Sequence, residues 1–132
     1  MNKLLDISEE ITTCEKVPTE QNLIRTLELV KQGEECLIGM NTNKYSPQSI
    51  IAFLKLIEAI LMTYTYKMEF DSHSALADIE KLFVNIVLSQ ATALRMGDKQ
   101  ECVNLTSVAA QCAYFDKELQ ANLRLLSKDL SL

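Results

Sequence analysis

A chain of 132 residues with 48% hydrophobic side chains is the size of one domain, long enough to bury a core and too apolar for disorder throughout. Thirteen basic residues against eighteen acidic ones leave a formal charge of −5, which repels phosphate backbones and argues against nucleic acid as a partner. Three glycines and two prolines are too few for the many tight turns of a strand-rich fold, so long helices joined by short links are expected.

The first residues, MNKLLDISEE, place Asp6, Glu9 and Glu10 where a leader would need an unbroken apolar run, so a cytoplasmic protein is expected. Residues 1–17 carry Leu4, Leu5, Ile7 and Ile11 between acidic positions, followed by Thr12 and Thr13, which favour caps over helix interiors. This segment reads as a short helix or a mobile arm. Pro18 suits a first helical turn, and Leu23, Ile24, Leu27, Val30, Cys36 and Leu37 continue at near-helical spacing, so the first long helix is expected from there until Gly39 and Asn41 to Tyr45 stop it. Ser46 and Pro47 form a paired start signal for a second helix. Its stripe runs Ile50, Leu54, Ile57, Leu61, Tyr64, Met68, and Ile51, Phe53 and Ile60 widen it into a face that several neighbours must cover. Lys55 and Glu58 interrupt it before it could serve as a membrane span, so no membrane insertion is expected.

The cluster Asp71, Ser72, His73, Ser74 offers capping oxygens to a third helix carrying Leu76, Ile79, Leu82, Phe83, Ile86, Val87, Gln90, Ala93 and Leu94 to about Met96. Gly97 takes the C′ position, and Asp98 with Glu101 makes a capping-box-like start for a fourth. That helix is read as continuous through Cys102, Leu105, Ala109, Cys112, Phe115, Leu119, Leu123, Leu126 and Leu130. Short links make neighbours antiparallel, so the expected fold is all-α, an antiparallel up-down four-helix bundle in a single domain spanning 1–132.

Chemistry is sparse. Cys14, Cys36, Cys102 and Cys112 form no C-x-x-C pair, and His73 is the sole histidine, so neither a metal site nor a cofactor is expected and the cysteines read as reduced core filler. No basic residue stands at helical neighbour spacing from Cys112 to activate it, and Lys99 lies one turn before Cys102 as a lone lysine. Asp116, Lys117 and Glu118 read as a solvated face. His73 admits a phosphotransfer reading, since phosphorelay domains are helical bundles bearing one histidine. Its context, His73-Ser74-Ala75-Leu76-Ala77-Asp78, lacks the basic neighbour of the His-x-Leu-Lys-Gly type motif, and an exposed or capping role is the plainer reading. No catalytic residue is assigned, and the chain is not expected to be an enzyme.

Large apolar groups exceed what one seam takes up. Met62, Tyr64, Tyr66, Met68, Phe70 and Tyr114 include adaptable methionines of the kind that hold amphipathic partner helices. Candidate partner-binding residues are Ile57, Leu61, Tyr64, Met68, Leu82, Phe83 and Ile86.

The order of elements resembles the FliS family of flagellar secretion chaperones over about residues 17–120. Pro18 with Leu23, Ile24 and Leu27 is similar to that family's Ser-Pro-x-x-Leu-Leu-x-x-Leu opening, Leu82-Phe83 to its Leu-Tyr pair, and Ala93 with Gly97-Asp98 to its Ala-Asn-x-x-Asn/Gly-Asp segment. Phe115 falls near the aromatic that ends its last core stretch. Residues 1–17 lack that family's tyrosine-rich arm, and Ser72-His73-Ser74 replaces its Gly-Gly-Glu turn. The resemblance implies a chaperone for a secreted filament protein such as flagellin, binding a disordered segment that folds into helices along apolar grooves. A helical adaptor or self-associating subunit, forming a homodimer, is the alternative, and phosphotransfer through His73 the second.

Overall fold

A computed structural model of the chain describes residues 3–38, 45–65 and 73–132, and every regular element in them is helical. The elements are α1 (Lys3–Lys16), α2 (Glu20–Ile38), α3 (Pro47–Thr65), α4 (Ser74–Ser89), α5 (Ala91–Arg95), α6 (Lys99–Cys112) and α7 (Lys117–Leu130). The stop expected at Gly39 and Asn41, the aromatics Tyr66 and Phe70, and the candidates Met68, Asp71 and Ser72 lie outside the described residues.

The N-terminal segment is a full helix and part of the core. Leu4, Ile7, Ile11 and Cys14 step by three, four and three, which places all four on one buried face. Thr12 and Thr13 do not cap; they sit inside α1 and donate to the carbonyls of Ser8 and Glu9 at 2.9 and 3.1 Å. α2 starts two residues later than Pro18, because the Thr19 hydroxyl accepts from the Asn22 amide at 3.1 Å and sets the boundary there. Ser46 and Pro47 do start α3: the Ser46 hydroxyl accepts from the Ser49 amide at 3.2 Å.

Two helices expected to be continuous are broken. The third divides at Gln90, which leaves helical dihedrals at φ −106°, ψ 25° and sends its side-chain amide to the Leu37 carbonyl at the end of α2 (3.3 Å). The fourth divides at Ala113–Asp116: the Asp116 carboxylate accepts from the amides of Glu118 and Leu119 at 3.0 and 3.2 Å. Asp116 is an N-cap, not part of a solvated helix face.

Directions follow from the cross-helix contacts. Arg25 reaches back to Glu10, so α1 and α2 run antiparallel. Glu20 lies by His73 and Leu37 by Gln90, so α2 and α4 run parallel. The pairs Glu15–Thr63 and Lys55–Glu101 make α3 parallel to α1 and α6, and Ser107–Ser127 with Gln120–Ala110 make α7 antiparallel to α6. α3 and α4 are central, and α1 packs beside both α2 and α3. α2 and α3 themselves meet narrowly, where Phe53 lies against Gly33. α7 packs chiefly on α6 and buries only Leu123 and Leu126.

Among the described residues α3 is the one helix long and apolar enough, by length and composition, to cross a membrane. Its apolarity is consumed by helix packing, since Ile50, Ile51, Phe53, Leu54, Ile57, Ile60, Leu61 and Tyr64 are all buried. The buried hydroxyls of Thr26 and Thr106 are satisfied within their own helices, on the carbonyls of Asn22 (2.7 Å) and Cys102 (3.0 Å).

Candidate functional site

Most of the residues expected to face a partner are core. Ile57, Tyr64, Phe83 and Ile86 are fully buried, and Leu82 is half-buried with its side chain packed on the core. A stripe at helical spacing marks a buried face without saying what buries it, and here α1, α4 and α6 do. Leu61 is core as well, and it also lines an open recess.

That recess lies between the parallel helices α3 and α6, towards their C-terminal ends. Leu61, Met62 and Thr65 form one wall, Val108, Gln111 and Cys112 the other, and Glu80 reaches in from α4 around a space of about 270 Å³. Met62, at 47% exposure, stands at its edge. A second recess of about 440 Å³ lies at the other end of the same seam, between Gln48, Ile51, Ala52 and Lys55 of α3 and Met96, Gly97, Asp98 and Glu101. Lys55 and Glu101 bridge the helices there at 2.8 Å. The ten residues from Ile51 to Leu61 put the recesses about 15 Å apart along α3.

Gly97 has no positive φ; its missing Cβ makes room instead, since an added carbon would meet the Ile51 side chain and lie 3.1 Å from the Cys102 sulfur. Asp98 then caps α6 by accepting from the Glu101 amide at 3.0 Å. The Glu101 carboxylate crosses to Lys55, so it serves the α3–α6 contact in place of the second half of a capping box.

Beyond Cys112 the chain turns through Tyr114 and Phe115, exposed at 66% and 42%. Their rings meet edge to face, 6.1 Å between centroids, and the Lys81 ammonium lies 5.6 Å from the Phe115 centroid.

The electrostatics of the seam are acidic. Burial pushes the Glu58 carboxyl above the ordinary range, with Lys55 opposing. Burial also pushes the Cys112 thiol up to about 12, aided by the charges of Glu80 and Glu58 and by a hydrogen bond to Glu80. Burial raises the Cys102 thiol as well, with Glu101 and Asp98 adding to it. Such thiols are poor nucleophiles. All four cysteines are free. Among the described residues no group of three or more His, Cys, Asp or Glu side chains could hold a metal ion.

His73 is engaged at both ring nitrogens. Its Nδ1 accepts from the Ala75 amide at 3.1 Å, making the imidazole itself the N-cap of α4, and Nε2 lies 3.2 Å from Glu20. An acceptor at Nδ1 leaves the proton on Nε2, where it points at the carboxylate. The capping atom is thus a ring nitrogen, where the sequence had offered side-chain oxygens.

Sequence reasoning had picked out Met62 only as surplus apolar surface, and missed Val108 and Gln111 altogether. Val108 and Gln111 follow Glu101 at seven and ten residues, so one α6 face carries all three, beside the core stripe of Cys102, Leu105 and Ala109. No family model, curated protein or solved structure matches the chain.

Proposed function

We propose that the chain is a non-catalytic binding protein that holds an amphipathic helical segment of a client, as a cytoplasmic export chaperone holds a secreted filament protein such as flagellin. The observation that carries the reading is the α3–α6 seam, with apolar recesses at both ends and an exposed methionine at its rim. Helix-in-groove recognition needs such a trough between rigid helices, and methionine adapts to varied side chains. In this reading α2, α3, α4 and α6 act as an up-down four-helix bundle, α1 closes the core beside it, and α3 is a core helix, not a membrane span. The resemblance to FliS chaperones in Pro18, Leu23, Ile24, Leu27, Leu82-Phe83 and Gly97-Asp98 supports the same role. Engagement of both His73 nitrogens weighs against the phosphotransfer alternative.

The test is capture of a client from the native lysate, followed by calorimetry with the client's C-terminal peptide. An exported filament protein that binds with a large negative heat-capacity change, and loses affinity at least tenfold to Met62→Glu, is the expected result. Recovery of the protein's own copies alone would refute the chaperone reading and leave a self-associating subunit. So would peptide binding that Met62→Glu leaves intact.

A further inference from the structure

We infer that the α3–α6 seam selects a basic amphipathic helix, one whose apolar anchors are flanked by lysine or arginine. The inference rests on the binding reading above and specifies the partner's chemistry. Among the described residues the carboxylates of Glu58, Glu80, Asp98 and Glu101 and the ammonium of Lys55 stand along the seam, with Glu80 hydrogen-bonded to Cys112 and Asp98 capping α6. Lys55 is already committed to Glu101 at 2.8 Å. Glu58 stands between the two recesses, one turn before Leu61 and Met62, and is close enough to Cys112 to act on its thiol. It forms no ion pair among the described residues, although it is partly withdrawn from water.

A partly desolvated carboxylate beside an apolar trough is a cost to the free protein that a cationic partner relieves. The same charges penalise an acidic helix of equal hydrophobicity, so the seam discriminates by repulsion as well as attraction. The spacing of the recesses adds a geometric requirement. Two apolar anchors about 15 Å apart on the client correspond to roughly ten helical residues, with basic positions between and beside them.

The experiment uses the full chain and two designed 18-residue helical peptides with the same leucine and methionine face. One carries lysine and the other glutamate at the flanking positions, and binding is followed by fluorescence anisotropy at low and high salt. The lysine peptide is expected to bind at least tenfold more tightly than the glutamate peptide, with the gap closing as salt rises. The Glu58→Gln, Glu80→Gln double variant is expected to lose about tenfold for the lysine peptide while keeping the wild-type helical circular dichroism and a urea midpoint no lower than the parent's, which separates lost recognition from lost folding. Equal binding of both peptides would overturn the charge selection and leave the helix-binding reading standing. Binding of neither at 100 µM would overturn both.

Discussion

Replacing Gly33 by alanine tests the narrow contact between α2 and α3. A Cβ at Gly33 would lie 2.8 Å from Cε2 and 3.1 Å from Cε1 of Phe53, and closer still to Cζ. Carbon pairs prefer about 3.5–4.0 Å, so the ring would have to retreat by roughly an ångström or the helices part. Phe53 is 1% exposed and embedded in the core, so neither movement is free. Overpacking of this kind costs about 1–3 kcal/mol, and three ring atoms meeting one carbon put it in the upper half of that range. Alanine recovers about 1 kcal/mol of helix propensity in the middle of α2. The net is a destabilisation of about 1–2 kcal/mol, read as a lower urea midpoint by circular dichroism with an unchanged slope. Phe53→Leu removes the ring edge that the methyl would meet. The double variant Gly33→Ala, Phe53→Leu should therefore be more stable than the sum of the single changes by about 1 kcal/mol. A Gly33→Ala variant as stable as the parent, or strictly additive effects, would refute a close α2–α3 approach at this point.

Alkylation followed by mass spectrometry should label the half-buried Cys36 well before Cys112. With its thiol pushed up to about 12, Cys112 is thiolate in roughly one molecule in ten thousand at pH 8, and equal labelling rates would contradict its placement. Burial holds the Glu58 and Glu34 carboxyls above their ordinary value of 4.5, and Glu35 adds to the effect at Glu34. The folded chain then binds those protons more tightly than the unfolded one, so their effect favours folding at low pH and is lost as pH rises through the folded values. Glu58→Gln removes that loss, so the urea midpoint of the variant minus that of the parent should rise from pH 4.5 to 7; a falling difference would reverse the sign of the argument. Asp116→Ala removes the acceptor for two amides at the start of α7 and should cost about 1 kcal/mol. Amide exchange in α7 should accelerate first, and uniform acceleration across all helices would show that α7 does not open separately.

The apolar periodicity of this chain fixes helical structure locally: Leu4, Ile7 and Ile11, the stripe from Ile50 to Tyr64, and Leu76, Ile79, Phe83, Ile86 and Val87 are all buried helical faces. The starts at Ser46-Pro47 and at Asp98 were equally legible, because a cap is chemistry between residues three apart. The break at Asp116 was encoded in the same way but masked by a stripe that continues in register on both sides of the turn. Gln90 had no local signal, since its side chain answers a carbonyl of α2 that is 53 residues away in sequence. The same limit governs the candidate site. Periodicity marks which residues leave water, whereas what covers them depends on how distant helices pack. Ile57 and Leu61 share one stripe on α3 and both are buried, yet Leu61 also lines a recess, and which residues do so is decided by how α4 and α6 pack against α3.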